Sequence, residues 1–194
     1  MNKLINRIHN ADCFDFFSKI EDNSIDCVLT DPPYGVTACD WDTVPDLEKL
    51  WIEFLRIGKP DCQYIIFSQQ PFTTDLINSN RKMFKHELIW NRRTSRNFLI
   101  GKKTPLKIHE NIIIFNKKTK YFPIMRRGIW RGKGGMKKNS TKFGKVKSIY
   151  ISGSGVLAVA SYETKRNFIC IEKEKQYYQL SIERYIRASK QILI

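Results

Sequence analysis

An α/β fold, one mixed sheet with helices on both faces, is what the sequence predicts. Short apolar runs alternate along the chain with segments of helical periodicity, and Gly, Pro, Asn and Ser punctuate the junctions. A length of 194 residues suits one domain, residues 1–194, with a proper core.

Phe16, Phe17 and Ile20 share helical spacing over 12–20, and Glu21 to Ser24 break it. Ile25 to Thr30 is a short buried strand. It must end at Asp31-Pro32-Pro33-Tyr34, because consecutive prolines offer no N–H to a ladder and stiffen the backbone into a loop. Leu47, Leu50, Trp51, Phe54 and Leu55 line one face of a helix over 45–57, closed by Gly58 and Pro60. A strand at 63–67, a helix at 73–79, and strands at 84–90 and 111–115 follow. Residues 117–147 have no clean period, are rich in glycine and mix Tyr121, Phe122, Trp130 and Phe143 with charges, so a loop is expected. Then come a strand at 146–151, the turn Ser152-Gly153-Ser154-Gly155, a helix to about Tyr162, a strand at 167–171 and an amphipathic helix over 175–192. The loop separates a first half (1–116) from a second (148–194).

The net charge of +15, with a pI near 9.7, favours a polyanionic partner, of which nucleic acid is the commonest inside cells. The excess is local: no Asp or Glu occurs from Asn111 to Tyr162. Arg126, Arg127, Arg131, Lys133, Lys137 and Lys138 are the expected phosphate contacts, with Trp130 among them for a base. Trp41, Trp51 and Trp90 are expected in the core. No run approaches the roughly 20 apolar residues that span a bilayer, residues 1–10 hold no signal-type apolar run, and no basic amphipathic helix suits a membrane surface. A soluble, cytoplasmic protein is expected. The five cysteines are scattered without a Cys-x-x-Cys, and His9, His86 and His109 lack ligand spacing, so buried thiols and no metal are expected.

Gly153-Ser154-Gly155, between strand and helix with Ala158 three residues on, lets backbone approach a ligand closely. Glu172 ends the next strand, near the roughly 20-residue spacing at which nucleotide folds place an acid on ribose hydroxyls. A nicotinamide cofactor and S-adenosyl-L-methionine both satisfy that pattern. Asp31-Pro32-Pro33-Tyr34 separates them. To methylate an exocyclic amine, whose lone pair is conjugated into the ring, a site must accept hydrogen bonds from both amine hydrogens. Asp31 and the Pro32 carbonyl are the candidate acceptors, Pro33 stiffens them, and Tyr34 offers a stacking surface for a base taken out of the duplex.

Together these motifs resemble the DNA amino-methyltransferases acting on adenine N6, in the subgroup where the catalytic motif precedes the cofactor motif. The likeness covers most of the chain. It rests on Asn10-Ala11-Asp12, Asp31-Pro32-Pro33-Tyr34-Gly35, Ile66-Phe67, Trp90, His109-Glu110-Asn111-Ile112, Gly153-Ser154-Gly155 and Arg166 to Glu172. It implies a Rossmann-like methyltransferase domain and S-adenosyl-L-methionine as cofactor. Ala11, Asp12, Gly153, Ser154, Gly155 and Glu172 would hold it, Asp12 near the adenine and Glu172 at the ribose. It also implies double-stranded DNA as substrate and a cognate restriction endonuclease as a candidate partner. Asp rather than Ser before Pro-Pro-Tyr is similar to the adenine enzymes more than to the cytosine-N4 enzymes.

The second half departs from the family. A His-Pro-Thr-Gln-Lys-Pro type stretch, a helix and an Asp-ended strand normally precede the glycine turn; here Ile149 stands at the Asp position, and Val156 and Leu157 replace two threonines. The chain is thus identified as a relative shortened in its cofactor half. Two activities stay open: methyl transfer, or DNA or partner binding by an inactive, internally deleted relative. A nicotinamide oxidoreductase would leave Asp31 to Tyr34 without a role.

Overall fold

The computed structural model describes residues 3–37, 39–95, 101–118, 148–151 and 156–190. Along the chain these form β1 (Arg7–Asn10), α1 (Cys13–Phe17), β2 (Ile25–Thr30), α2 (Leu47–Ile57), β3 (Gly58–Ser68) and α3 (Phe72–Ser79). Then come β4 (Phe84–Asn91), β5 (His109–Asn116), β6 (Ser148–Ile151), α4 (Val156–Glu163), β7 (Ile169–Glu172) and α5 (Lys175–Lys190). The strands lie in one sheet in the order β1-β7-β6-β2-β3-β5-β4. From β1 to β3 every pairing is parallel, whereas β5 runs antiparallel to both β3 and β4, giving the mixed sheet that was expected.

Both faces are covered. Along β7, Ile169 and Ile171 pack into one core with Phe17 of α1, Phe54 of α2 and Leu76 of α3. Cys170 points the other way, into a second core with Ala158 of α4 and Ile182 and Tyr185 of α5. Successive strand residues face opposite sides, so a strand buried on both faces reads as the continuous apolar run seen in the sequence.

Several boundaries differ from those expected. Asp12 caps α1 through Phe14 N–H at 2.9 Å, but the helix stops at Phe17 because Lys19 and Ile20 bond back only three residues, to Phe16 and Phe17 carbonyls. Strand β3 starts at Gly58, directly on the end of α2. Its pairing with β2 jumps from Ile25↔Gly58 to Cys27↔Gln63, and this irregular stretch accommodates Pro60 inside the strand. The Gly58 backbone is extended (φ −75°, ψ 135°) rather than left-handed. What requires glycine there is space: an added Cβ would lie 2.2 Å from Tyr64 Oη and 2.9 Å from the Phe54 carbonyl oxygen.

Strand β1 has no counterpart in the sequence pattern. Of its four residues only Ile8 is buried, and its place comes from pairing with β7, Arg7↔Ile169 through Asn10↔Glu172. Trp51 is in the core as expected, but Trp41 and Trp90 are about half exposed. Trp90 lies on the edge strand β4 with its ring against Phe67, and Trp41 lies on the loop after β2. The glycine turn at 153–155 and the basic segment from 119 to 147 lie outside the described residues.

Candidate active site

Strands β1, β7, β6 and β2 are consecutive parallel neighbours, so their carboxyl ends emerge along one edge of the sheet. Their register aligns Asn10 with Glu172, Ile171 with Ile151, and Ile151 with Thr30. From β2 the chain passes through α2 to β3 on one side, while from β6 it passes through α4 to β7 on the other. Because α2 and α4 cover opposite faces, the connections diverge at the carboxyl ends of β2 and β6, the kind of switch point where α/β sheets bind ligands.

Asp31 is the first residue past β2, at that switch point. The Tyr34 hydroxyl donates to Asp31 Oδ1, and the Tyr34 ring stacks on Phe72 at the start of α3, centroids 5.6 Å apart and planes 28° from parallel. Burial, and then the Asp31 charge and hydrogen bond, push the Tyr34 hydroxyl far above its ordinary value, so it remains a proton donor. The Tyr34 hydroxyl also feels the charges of Glu110 and Arg92. These two form a largely buried ion pair, Nη1 to Oε1 2.5 Å, where β4 ends and β5 begins.

Beyond Tyr34 the chain doubles back around Asp42. That carboxylate, 8% exposed, accepts the N–H groups of Gly35 and Val36 at 2.9 Å each. It also accepts Thr37 N–H at 2.6 Å and Thr37 Oγ1–H at 2.7 Å. Burial acts to raise the Asp42 carboxyl, but these hydrogen bonds outweigh it and hold the group below its ordinary value. Next door, Trp41 meets Tyr177 of α5 edge to face at 6.4 Å.

Two strands over, the ends of β7 and β1 bring Ala11, Asp12 and Glu172 together. Ala11 N–H donates to the Glu172 carbonyl at 3.1 Å, and Asn10 Nδ2 bridges the carbonyls of Glu172 (2.9 Å) and Lys173 (2.8 Å). The Glu172 side chain is buried, with Oε1 accepting Glu174 N–H at 3.2 Å. Asp12, besides capping α1, pairs with Lys173 Nζ at 3.0 Å. Burial acts to raise its carboxyl, but Lys173 and the Phe14 N–H outweigh burial and leave it below the ordinary value.

The structure therefore gathers Ala11, Asp12, Glu172 and Asp31 to Tyr34 along one edge. Gly153, Ser154 and Gly155, and the candidate DNA contacts Arg126, Arg127, Trp130, Arg131, Lys133, Lys137 and Lys138, lie outside the described residues. Asp42, Phe72 and Arg92 were not singled out by sequence. Phe72 reads only as one more apolar residue at a helix start, and a lone Asp in a loop carries no periodic signal.

No protein-family model matches the chain. It is 27% identical over 117 residues to the type II methyltransferase M1.MboII of Moraxella bovis, 53% of this chain and 45% of that protein, so it spans less than half that relative's length. Among solved structures, the M1.HpyAVI–SAM complex matches with a TM-score of 0.63 at 18% identity, over 92% of this chain and 97% of that one. The cytosine-N4-specific PvuII DNA methyltransferase matches at 0.59 and 12% identity, over 96% and 92%. Over the matched part the sequence is similar to a type II DNA methyltransferase, and over nearly its whole length the chain has the fold of the S-adenosyl-L-methionine-dependent DNA methyltransferases.

Proposed function

We propose that this chain transfers the methyl group of S-adenosyl-L-methionine to an exocyclic amine of a base in double-stranded DNA, adenine N6 in preference to cytosine N4. The observation that carries this reading is the position of Asp31 to Tyr34 just past the carboxyl end of β2, on the same sheet edge as Glu172. With β6 between them, the ends of β2 and β7 are about 10 Å apart, a distance spanned by a nucleoside with an extended side arm.

The residues present fit the cofactor. The buried Glu172 carboxylate is an acceptor suited to vicinal ribose hydroxyls, while Ala11 and Asp12 border it, and the glycine turn follows β6 directly in sequence. When bound, S-adenosyl-L-methionine supplies an electrophilic methyl group on a sulfonium. The protein's own task is to present the amine. Asp31 and the Pro32 carbonyl accept its two N–H bonds, which draws the nitrogen lone pair out of ring conjugation. Tyr34 fixes the Asp31 carboxylate through its hydroxyl and presents its ring to an extruded base. The residues after β5 supply the cations for phosphates.

Titration with S-adenosylhomocysteine comes first, and a folded sample that fails to bind it sinks the enzyme reading in favour of a DNA- or partner-binding relative. Digestion of methylated DNA to nucleosides then identifies the target: N6-methyladenine is expected, and N4-methylcytosine would move the assignment to the cytosine enzymes. Asp31→Ala should abolish transfer while leaving cofactor affinity within about twofold; undiminished transfer refutes its role.

A further inference from the structure

We propose that Asp42 is a positioning residue of this site: its carboxylate locks the turn that follows Tyr34 and thereby holds Tyr34 and Asp31 in the orientation that methyl transfer needs. The inference rests on the methyltransferase reading and extends it to a residue outside the catalytic motif.

Four donors from three consecutive residues converge on this one carboxylate. Successive backbone N–H groups turned to one side make a concave anion site, and bonds to an ionised acceptor are roughly twice as strong as neutral ones. Here the chain supplies its own anion. Gly35 makes the turn possible: its φ is +67°, and a Cβ there would come within 2.9 Å of Val44 Cγ2.

The hold reaches Tyr34 through covalent geometry. The Gly35 N–H shares a rigid peptide plane with the Tyr34 carbonyl, so fastening it to Asp42 fixes the plane on which the Tyr34 side chain is mounted. The Tyr34 ring is then seated on Phe72, and its hydroxyl on Asp31. At the other end of the loop, Trp41 against Tyr177 ties it to α5, which begins three residues beyond Glu172. One carboxylate thus anchors a loop that runs from the catalytic motif to α5, the helix that follows the Glu172 strand.

A stabilising role alone would lower the melting temperature and leave the turnover of folded molecules unchanged. The test compares full-length wild type, Asp42→Asn and Thr37→Val for methyl transfer, S-adenosylhomocysteine affinity and amide exchange at Gly35, Val36 and Thr37. In Asp42→Asn, kcat should fall at least tenfold, S-adenosylhomocysteine affinity should stay within twofold, and exchange at the three amides should quicken. Thr37→Val removes only the hydroxyl's hydrogen bond and should fall in the same direction by less. Undiminished kcat in Asp42→Asn, or retained protection of the three amides, overturns the proposal. If Asp42→Asn does not fold, an unchanged kcat in Thr37→Val overturns it instead. A wild type that methylates no DNA overturns the functional reading and this proposal together, whereas active wild type with equally active Asp42→Asn overturns this proposal alone.

Discussion

Tyr34 does two things in this structure that a sequence motif cannot separate: its ring rests on Phe72 and its hydroxyl steers Asp31. Tyr34→Phe keeps the ring and removes the steering. A hydrogen bond to a charged group contributes about 1.5–3 kcal/mol, so kcat should fall roughly tenfold or more with DNA affinity nearly unchanged. Equal kcat in the two proteins would mean that Asp31 is oriented without Tyr34. That Asp31 follows the end of β2 and Glu172 ends β7 was legible in the sequence, the first because two prolines stop a ladder and the second because an apolar run gives way to charged residues. Asp42 was not, because its meaning lies in which way three backbone N–H groups turn, and that follows from the folded loop.

At the scale of elements, α2 and β3 meet without a connecting residue, and Gly58 is the joint. The Phe54 carbonyl accepts both the Gly58 N–H and the Tyr64 hydroxyl, the latter at 3.1 Å. Any side chain at position 58 enters this arrangement, so Gly58→Ala should destabilise the fold by about 1–3 kcal/mol in denaturant unfolding, as overpacking does. Removing the hydroxyl as well, in Gly58→Ala with Tyr64→Phe, should cost less than the sum of the two single changes. Strict additivity would mean that the two groups do not collide. Elements with strong periodicity, such as α2 and β2, were legible to within two residues. β1 was not, since a strand with one buried side chain leaves no alternation to read. The length of β3 was hidden by Pro60, a strand breaker that the irregular pairing with β2 tolerates.

For the whole molecule, a charge of +15 should make its affinity for the proposed DNA substrate fall with salt. Neutralising Arg126, Arg127 and Arg131 together should flatten the plot of log affinity against log salt by about 0.9 for each phosphate that these side chains pair with. An unchanged slope would remove these residues from the DNA interface. The α/β class was legible from alternation alone, whereas the sheet order was not, because the choice of a parallel partner is made by packing between distant segments. The pairing of β1 with β7 carries that furthest, joining Asn10 to Glu172 across 162 positions of the chain. Among the described strands β7 is the one neighbour of β1 in the sheet, so the place of β1 in the sheet depends on β7. Bringing Asp12 and Glu172 together therefore requires the closure of a long loop, which costs chain entropy. Cofactor capture at this edge would act as a seal on a finished molecule, since partly folded chains would present only one of the two carboxylates, and binding would draw the population toward the closed sheet.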